Sequence, residues 1–156
     1  MSGIVSSVDY AFGYIDQAQA LLSGLVFASI INLAGNTIAA SEASLVSAME
    51  DKLGTLTNFS RFTTTLADGP GNDSYPLTAF SYLIVHKTLL GDCATNTEML
   101  RFFYWCFHDP TASTIAMDNY FVRVSDPIVA LITEILDELI CGGVQLNPTS
   151  IQFFSL

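Results

Sequence analysis

Asp73-Ser74-Tyr75-Pro76-Leu77-Thr78-Ala79-Phe80-Ser81-Tyr82-Leu83-Ile84-Val85-His86-Lys87 decides how the rest of the chain is read, because a turn-forming segment there runs into the most strand-like residues of the sequence. Phe80, Tyr82, Leu83, Ile84 and Val85 are mostly aromatic or β-branched, and their run is too short for a typical helix. They predict a strand buried on both faces. Pro76 has a fixed φ and no amide to donate, which suits the entry to a strand and not its middle. The expected fold class is therefore α/β, a mixed sheet with flanking helices in which residues 74–87 form an interior strand.

Upstream, Ile4-Val5-Ser6-Ser7-Val8 reads as a short strand, and Asp9 offers an N-cap for a helix over 10–22. Residues 25–33 read as a second strand, turned at Ala34-Gly35-Asn36 into a short partner at 37–39. Ser41 caps a helix whose Leu45, Val46, Met49 and Leu53 recur at helical spacing, ending near Gly54. A threonine-rich stretch anchored by Phe59 and Phe62 follows, with a strand expected at 62–66. Asp68-Gly69-Pro70-Gly71-Asn72-Asp73 then breaks all regular structure.

Downstream, Thr95 and Glu98 form a capping-box pattern for a helix through Phe107, and Asp109-Pro110 stops it. A short helix is expected over 111–119. A third opens at Ser125-Asp126-Pro127 and carries Ile128, Leu131, Ile132, Ile135, Leu136 and Leu139 inward, with Gly142-Gly143 as its close.

The 156 residues fit one domain or a part of a larger one, and a hydrophobic content of 51% is ample for a packed core. Five basic against fifteen acidic residues give a net charge of −10, a field that attracts neither nucleic acid nor an anionic membrane surface; membrane association is expected only indirectly. The uncharged run 17–41 is long enough to suggest a membrane span, but Gln17, Gln19, Ser23, Asn32 and Asn36 interrupt it and Gly35-Asn36 turns it. Met1-Ser2-Gly3-Ile4-Val5 has neither a basic region nor a cleavage site, so it does not read as a signal peptide. Two sequons, Asn58-Phe59-Ser60 and Asn72-Asp73-Ser74, fit a secreted or lumenal setting and fit chance equally.

Three stretches carry a family resemblance. Gly3-Ile4-Val5-Ser6-Ser7-Val8-Asp9-Tyr10-Ala11, the Tyr75-Pro76 strand and Leu100-Arg101-Phe102-Phe103-Tyr104-Trp105-Cys106-Phe107 resemble, in that order, three motifs from the C-terminal part of phosphate-binding proteins of ABC transporters. Ser6 and Ser7 stand where the family has glycine and tyrosine, and Val122-Arg123-Val124 where it has Pro-Leu-Pro. The resemblance covers residues 3–139 and implies a partial periplasmic-binding-protein-like (type II) architecture. It divides the chain into 3–72 in one lobe, 73–141 as crossover strand and helices of the other, and 142–156 as an extended tail. The family holds its anion between lobes with amides, hydroxyls and an arginine, and that motif would precede this segment, so no ligand residue carries over. The resemblance implies non-enzymatic solute (phosphate) binding or extracellular sensing in an extracellular, lumenal or periplasmic setting. Its partner is another protein or the missing N-terminal part of the same domain, with inorganic phosphate bound only by the complete domain. The alternative is a degenerate structural or interaction subunit that keeps the fold without a ligand.

Direct chemistry is sparse. No catalytic, cofactor-binding or metal-ligating residue is assigned: His86 and His108 have no motif partners, and Asp137-Glu138 reads as a solvated face. Arg61 with Thr63-Thr64-Thr65 has the residue types of an anion site, and equally those of a surface strand. Cys93 and Cys141 flank helices and could bridge in an oxidising compartment, or stay free; Cys106 reads as a buried thiol. The apolar tail Ile151-Gln152-Phe153-Phe154 is expected to dock on a partner as an extended segment.

Overall fold

A computed structural model describes residues 2–56 and 64–146. The elements run α1 (Ser2–Ser7), α2 (Gln17–Leu22), β1 (Ile30–Ile31), β2 (Thr37–Ile38), α3 (Glu42–Glu50), a 3-10 turn (Leu53–Thr55), β3 (Thr88–Leu89), α4 (Cys93–His108), α5 (Pro110–Asp118), α6 (Asp126–Asp137), β4 (Ile140–Cys141) and β5 (Val144–Gln145). The class is mixed α/β, with six α-helices and two small sheets among the described residues. β1 and β2 form an antiparallel hairpin; the second sheet has the order β3-β4-β5, parallel between β3 and β4 and antiparallel between β4 and β5.

Helix starts follow local chemistry. The Ser41 hydroxyl accepts from the amide of Ser44 while the Ser44 hydroxyl accepts from the amide of Ser41, a reciprocal cap that fixes the first turn of α3. α4 begins one turn earlier than the Thr95–Glu98 pattern predicts, because Asp92 caps it by accepting from the amides of Ala94 and Thr95 and from the Thr95 hydroxyl. Asp109 ends α4 and caps α5 through the Thr111 amide, and Pro110 occupies a first-turn position where no amide is needed. Ser125 precedes α6 without a side-chain cap bond, although its carbonyl accepts from the Ile128 and Val129 amides, and its hydroxyl is buried without a partner among the described residues.

α6 joins two apolar clusters. Its C-terminal half contributes Leu136, with Leu139 just beyond, to a group containing Leu89, Leu100 and Cys141, against which Met99, Phe103 and Phe107 pack. Its N-terminal half contributes Ile128 to a second group with Met49, Leu56 and Leu66, and Ile132 touches both. Of the predicted stripe, Ile128, Leu131, Ile132, Leu136 and Leu139 lie in these clusters; Ile135 is in neither, and Val129, outside that stripe, is buried. Cys93 at the start of α4 is bridged to Cys141 in β4 with a Cα–Cα distance of 5.7 Å, so the sheet and α4 are joined covalently. Gly142 and Gly143, both with positive φ, make the two-residue turn of the β4–β5 hairpin rather than closing α6, a conformation glycine adopts without steric cost.

The strand expectations in the first half need correction. Residues 4–8 are not a strand: 2–7 form α1, whose Ser6 and Ser7 hydroxyls donate back to the Gly3 carbonyl, since a helix satisfies its own backbone where no strand partner is present. The helix expected over 10–22 is confined to α2, capped by Asp16 and not Asp9; Tyr10 sits at φ 62° and breaks the path. Of 25–33 only β1 pairs. The strand expected at 62–66 falls partly outside the described residues, and 64–66 are irregular.

The interior strand expected at 74–87 is the largest departure. Ser74, Pro76 and Thr78 are buried and Phe80 is half-buried while Leu77, Ala79 and Ser81 face out, so the period of two is present but only one face is covered. Tyr82, Leu83 and Ile84 are exposed, and pairing begins only at β3. A strand needs a neighbour to bond to: the Tyr75 amide, the Pro76 carbonyl and the Lys87 carbonyl have backbone partners, but among the described residues none is supplied for 77–86.

Two outcomes follow. Replacing Cys141 by Ser opens a bridge spanning a sequence separation of 48, and the chain-entropy account of a loop of that size predicts a loss of about 4 kcal/mol in denaturant unfolding. The Asp92 carboxyl is held below the ordinary aspartate value by the Thr95 hydroxyl first, then by the Thr95 and Ala94 amides. Its cap therefore operates above that ordinary value and is lost as pH falls through the lowered one. Amide exchange at Ala94 and Thr95 should accelerate in that acid range, and Asp92→Ala should abolish the pH dependence.

Candidate functional site: a polar clamp and an apolar concavity

The most developed side-chain constellation holds the Gly/Pro turn that precedes the 74–87 stretch. Asn32 closes the β1–β2 hairpin, its side-chain Oδ1 accepting from the Asn36 backbone amide at 2.9 Å, and its side-chain Nδ2 donates to the carbonyls of Gly71, Asn72 and Ser74 at 3.1, 2.9 and 3.2 Å. From the other side, Asp51, immediately after α3, accepts from the Gly71 amide at 2.8 Å and from the Ser74 hydroxyl at 2.6 Å. Ser47 meets Ser74 hydroxyl to hydroxyl at 2.9 Å, and the Tyr75 amide donates to the Ser44 carbonyl. Asn32, Ser44 and Ser74 are buried, so these groups have exchanged water for one another.

This closeness explains the glycines. A Cβ on Gly69 would lie 2.4 Å from Asp51 Oδ2, and one on Gly71 would lie 2.6 Å from both Asp51 Oδ1 and Ser74 Oγ. The Asp-Gly-Pro-Gly run is therefore a seat for the Asp51 carboxylate as well as a turn. The clamp is acidic and filled by the chain's own atoms, so its chemistry is that of a fastening and would repel an anion.

Beside it lies a concavity of about 800 Å³, lined jointly by residues 11–17, 25–28 and 77–81 together with Ala20, Leu45 and Tyr75. Among the described residues of that lining Asp16 is the one that is charged, and the rest is dominated by Phe12, Tyr14, Ile15, Val26, Phe27, Leu77 and Phe80. Such a wall suits apolar side chains better than a phosphate.

The sequence-selected residues are dispersed. Arg61 and Thr63 lie outside the described residues, as do Asn58 and the tail 147–156. Thr64 shares a hydroxyl contact of 2.9 Å with Thr55, and Thr65 accepts from the Ala67 amide, so the described members of that anion-site candidate serve the chain itself. His108 stacks on Tyr104 at 3.9 Å, and its Nε2 lies 3.1 Å from the Thr133 hydroxyl, tying the end of α4 to α6. Glu138 pairs on the surface with Lys87, worth at most about 1 kcal/mol at such exposure, and one Asp137 oxygen is buried without a partner among the described residues. Cys106 is a half-buried free thiol whose pKa is raised by that burial. Among the described residues no group of three or more His, Cys, Asp or Glu could hold a metal, and no helix is long and apolar enough to cross a membrane. The roles of Asn32 and Asp51 have no signal in the sequence beyond the pair of glycines around Pro70, which marks a turn without naming what the turn is seated on.

Comparison with known proteins yields distant relatives. No family profile and no solved structure matches the chain. A serine/threonine-protein kinase/receptor, so named, of Acanthamoeba polyphaga mimivirus is 24% identical over 147 residues, which are 92% of this chain and 9% of that protein. The phosphate-binding protein PstS of Pasteurella multocida is 27% identical over 123 residues, 76% of this chain and 33% of that protein. The chain thus has a distant similarity to a phosphate-binding protein and spans a third or less of the length of these curated relatives.

Gly71→Ala should destabilise by about 1–3 kcal/mol through the clash with Asp51 and Ser74, while Gly54→Ala, where a Cβ meets nothing, should be near neutral. Asp51→Ala should cost about 1–3 kcal/mol and make the 68–73 turn the first site of limited proteolysis. Equal stability of the three variants would mean that the clamp contributes nothing.

Proposed function

We propose that this chain is a non-enzymatic portion of a solute-binding-type domain, of the phosphate-binding-protein kind, acting in solute uptake or extracellular sensing as part of a longer polypeptide. The observation that carries the reading is the alignment with PstS over 76% of the chain. The Cys93–Cys141 bridge supports an extracellular, lumenal or periplasmic setting, where disulfides persist. The similarity to a protein named as a kinase/receptor supports sensing, since there too the matched segment is a small part of a larger whole.

In this reading the chain supplies scaffold and not ligands. An anion cradle needs converging amides, hydroxyls and a cation. The described concavity offers an apolar wall and Asp16, and the net charge of −10 opposes phosphate at long range. Phosphate would be held only when the remainder of a two-lobed domain contributes its groups. A second reading, a structural or interaction part that keeps the fold without a ligand, is favoured by the polar clamp, whose hydrogen-bonding groups are satisfied by one another.

Calorimetry with inorganic phosphate separates these readings. The 156-residue chain should show no saturable heat at micromolar phosphate, and the longer polypeptide that contains it should. Failure of the longer polypeptide to bind selects the second reading. Saturable micromolar binding by the chain alone overturns the scaffold assignment and directs attention to Arg61.

A further inference from the structure

Two stretches of this chain are strands in everything except pairing. Residues 10–16 alternate strictly, Tyr10, Phe12 and Tyr14 facing out and Ala11, Gly13 and Ile15 half-buried; Phe12 is 94% exposed. Residues 74–81 alternate in the same way, and the following Tyr82, Leu83 and Ile84 stand in solvent, Ile84 at 97%. Among the described residues, neither the amides nor the carbonyls of 12–15 and 79–86 make a hydrogen bond to one another or to any other described group. The two stretches share the walls of the 800 Å³ concavity.

Unpaired backbone in an aromatic and β-branched sequence is the chemistry of a sheet edge, and soluble proteins cover or charge such edges. These carry no charge between Asp9 and Asp16, or from Leu77 to Val85. A contiguous apolar surface of this kind marks an interface.

We infer that the concavity between residues 10–16 and 77–86 is a strand-acceptor slot, filled by apolar β-strand segments of the same polypeptide that lie outside these 156 residues. Main-chain bonds to 12–15 and 79–86 would hold the incoming strands, and alternate side chains would enter the concavity beside Phe27 and Phe80. Two facts choose this occupant over a second copy or a foreign protein. The two relatives named above carry the matched segment within a polypeptide three or more times its length, as coverages of 33% and 9% require. The hydrogen-bonding deficit also lies along two separate stretches, so one edge-to-edge contact between copies would leave one of them open. The inference takes from the proposed function only that the polypeptide is longer, and its test involves no phosphate, so the two fail separately.

The test is amide hydrogen exchange with mass-spectrometric readout. In the 156-residue chain, 12–15 and 79–86 should exchange at nearly unprotected rates. In the polypeptide extended by the residues encoded on either side, exchange there should slow by roughly tenfold or more. Ile84 is exposed to solvent among the described residues, so Ile84→Lys should leave the chain's urea midpoint unchanged and remove the added protection at 79–86. Protection already present in the chain at low concentration overturns the inference; if it disappears on deleting 147–156, the occupant is the chain's own tail. Protection that grows with concentration assigns the slot to a second copy, and a reading frame confined to these 156 residues leaves the proposed strands no source.

Discussion

The structure depends most on one amphipathic helix facing two ways. α6 places Ile128 among Met49, Leu56 and Leu66, and Leu136 among Leu89, Leu100 and Cys141, with Ile132 between. Fully burying an aliphatic side chain of this size is worth about 1.5–3 kcal/mol. The few buried positions of α6 are therefore comparable to the whole net stability of a small domain. Neither sheet is large enough to carry a fold: each strand is two residues long, and the three-stranded sheet is joined to α4 through Cys93–Cys141.

A second fastening works by hydrogen bonds. Asn32 and Asp51 grip the same short turn from opposite sides, one through its amide and the other through its carboxylate, so the β1–β2 hairpin and α3 share a fixed point. The turn launches residues 74–81 with one face inward. That geometry places Leu77 and Phe80 opposite the 11–17 stretch and creates the apolar concavity. Clamp and concavity are thus cause and consequence, and the clamp's lack of free donors is why the site reads as architecture and not as a reaction centre.

What was legible in the sequence was mainly what is local. The Ser41 cap, the Asp109-Pro110 stop, the turn at Ala34-Gly35-Asn36 and the α6 stripe all act within a few residues, and all appear in the structure. The Cys93–Cys141 bridge was one of two open alternatives, because pairing depends on distance in space. The hairpin partner expected at 37–39 is β2, whereas the strand expected at 4–8, the full length of 25–33 and the 74–87 stretch fail for one shared reason: propensity identifies residues that favour a sheet but not whether a neighbour is at hand. Ile84 is as strand-prone as any residue here and lies in solvent. Asn32 and Asp51 were invisible because their partners lie about twenty to forty positions away, joined only by the fold.

The central claim, that α6 makes the two clusters one cooperative unit, is tested most directly by a urea titration read at both ends. Trp105 reports the unfolding of α4, the helix that carries Leu100 of one cluster, and backbone NMR signals of residues 45–49 in α3 report the cluster around Met49. Coincident midpoints and slopes are the predicted result. Loss of the α3 signals at a clearly lower urea concentration than the Trp105 transition would show two independent units joined by a helix that couples nothing, and would contradict the account.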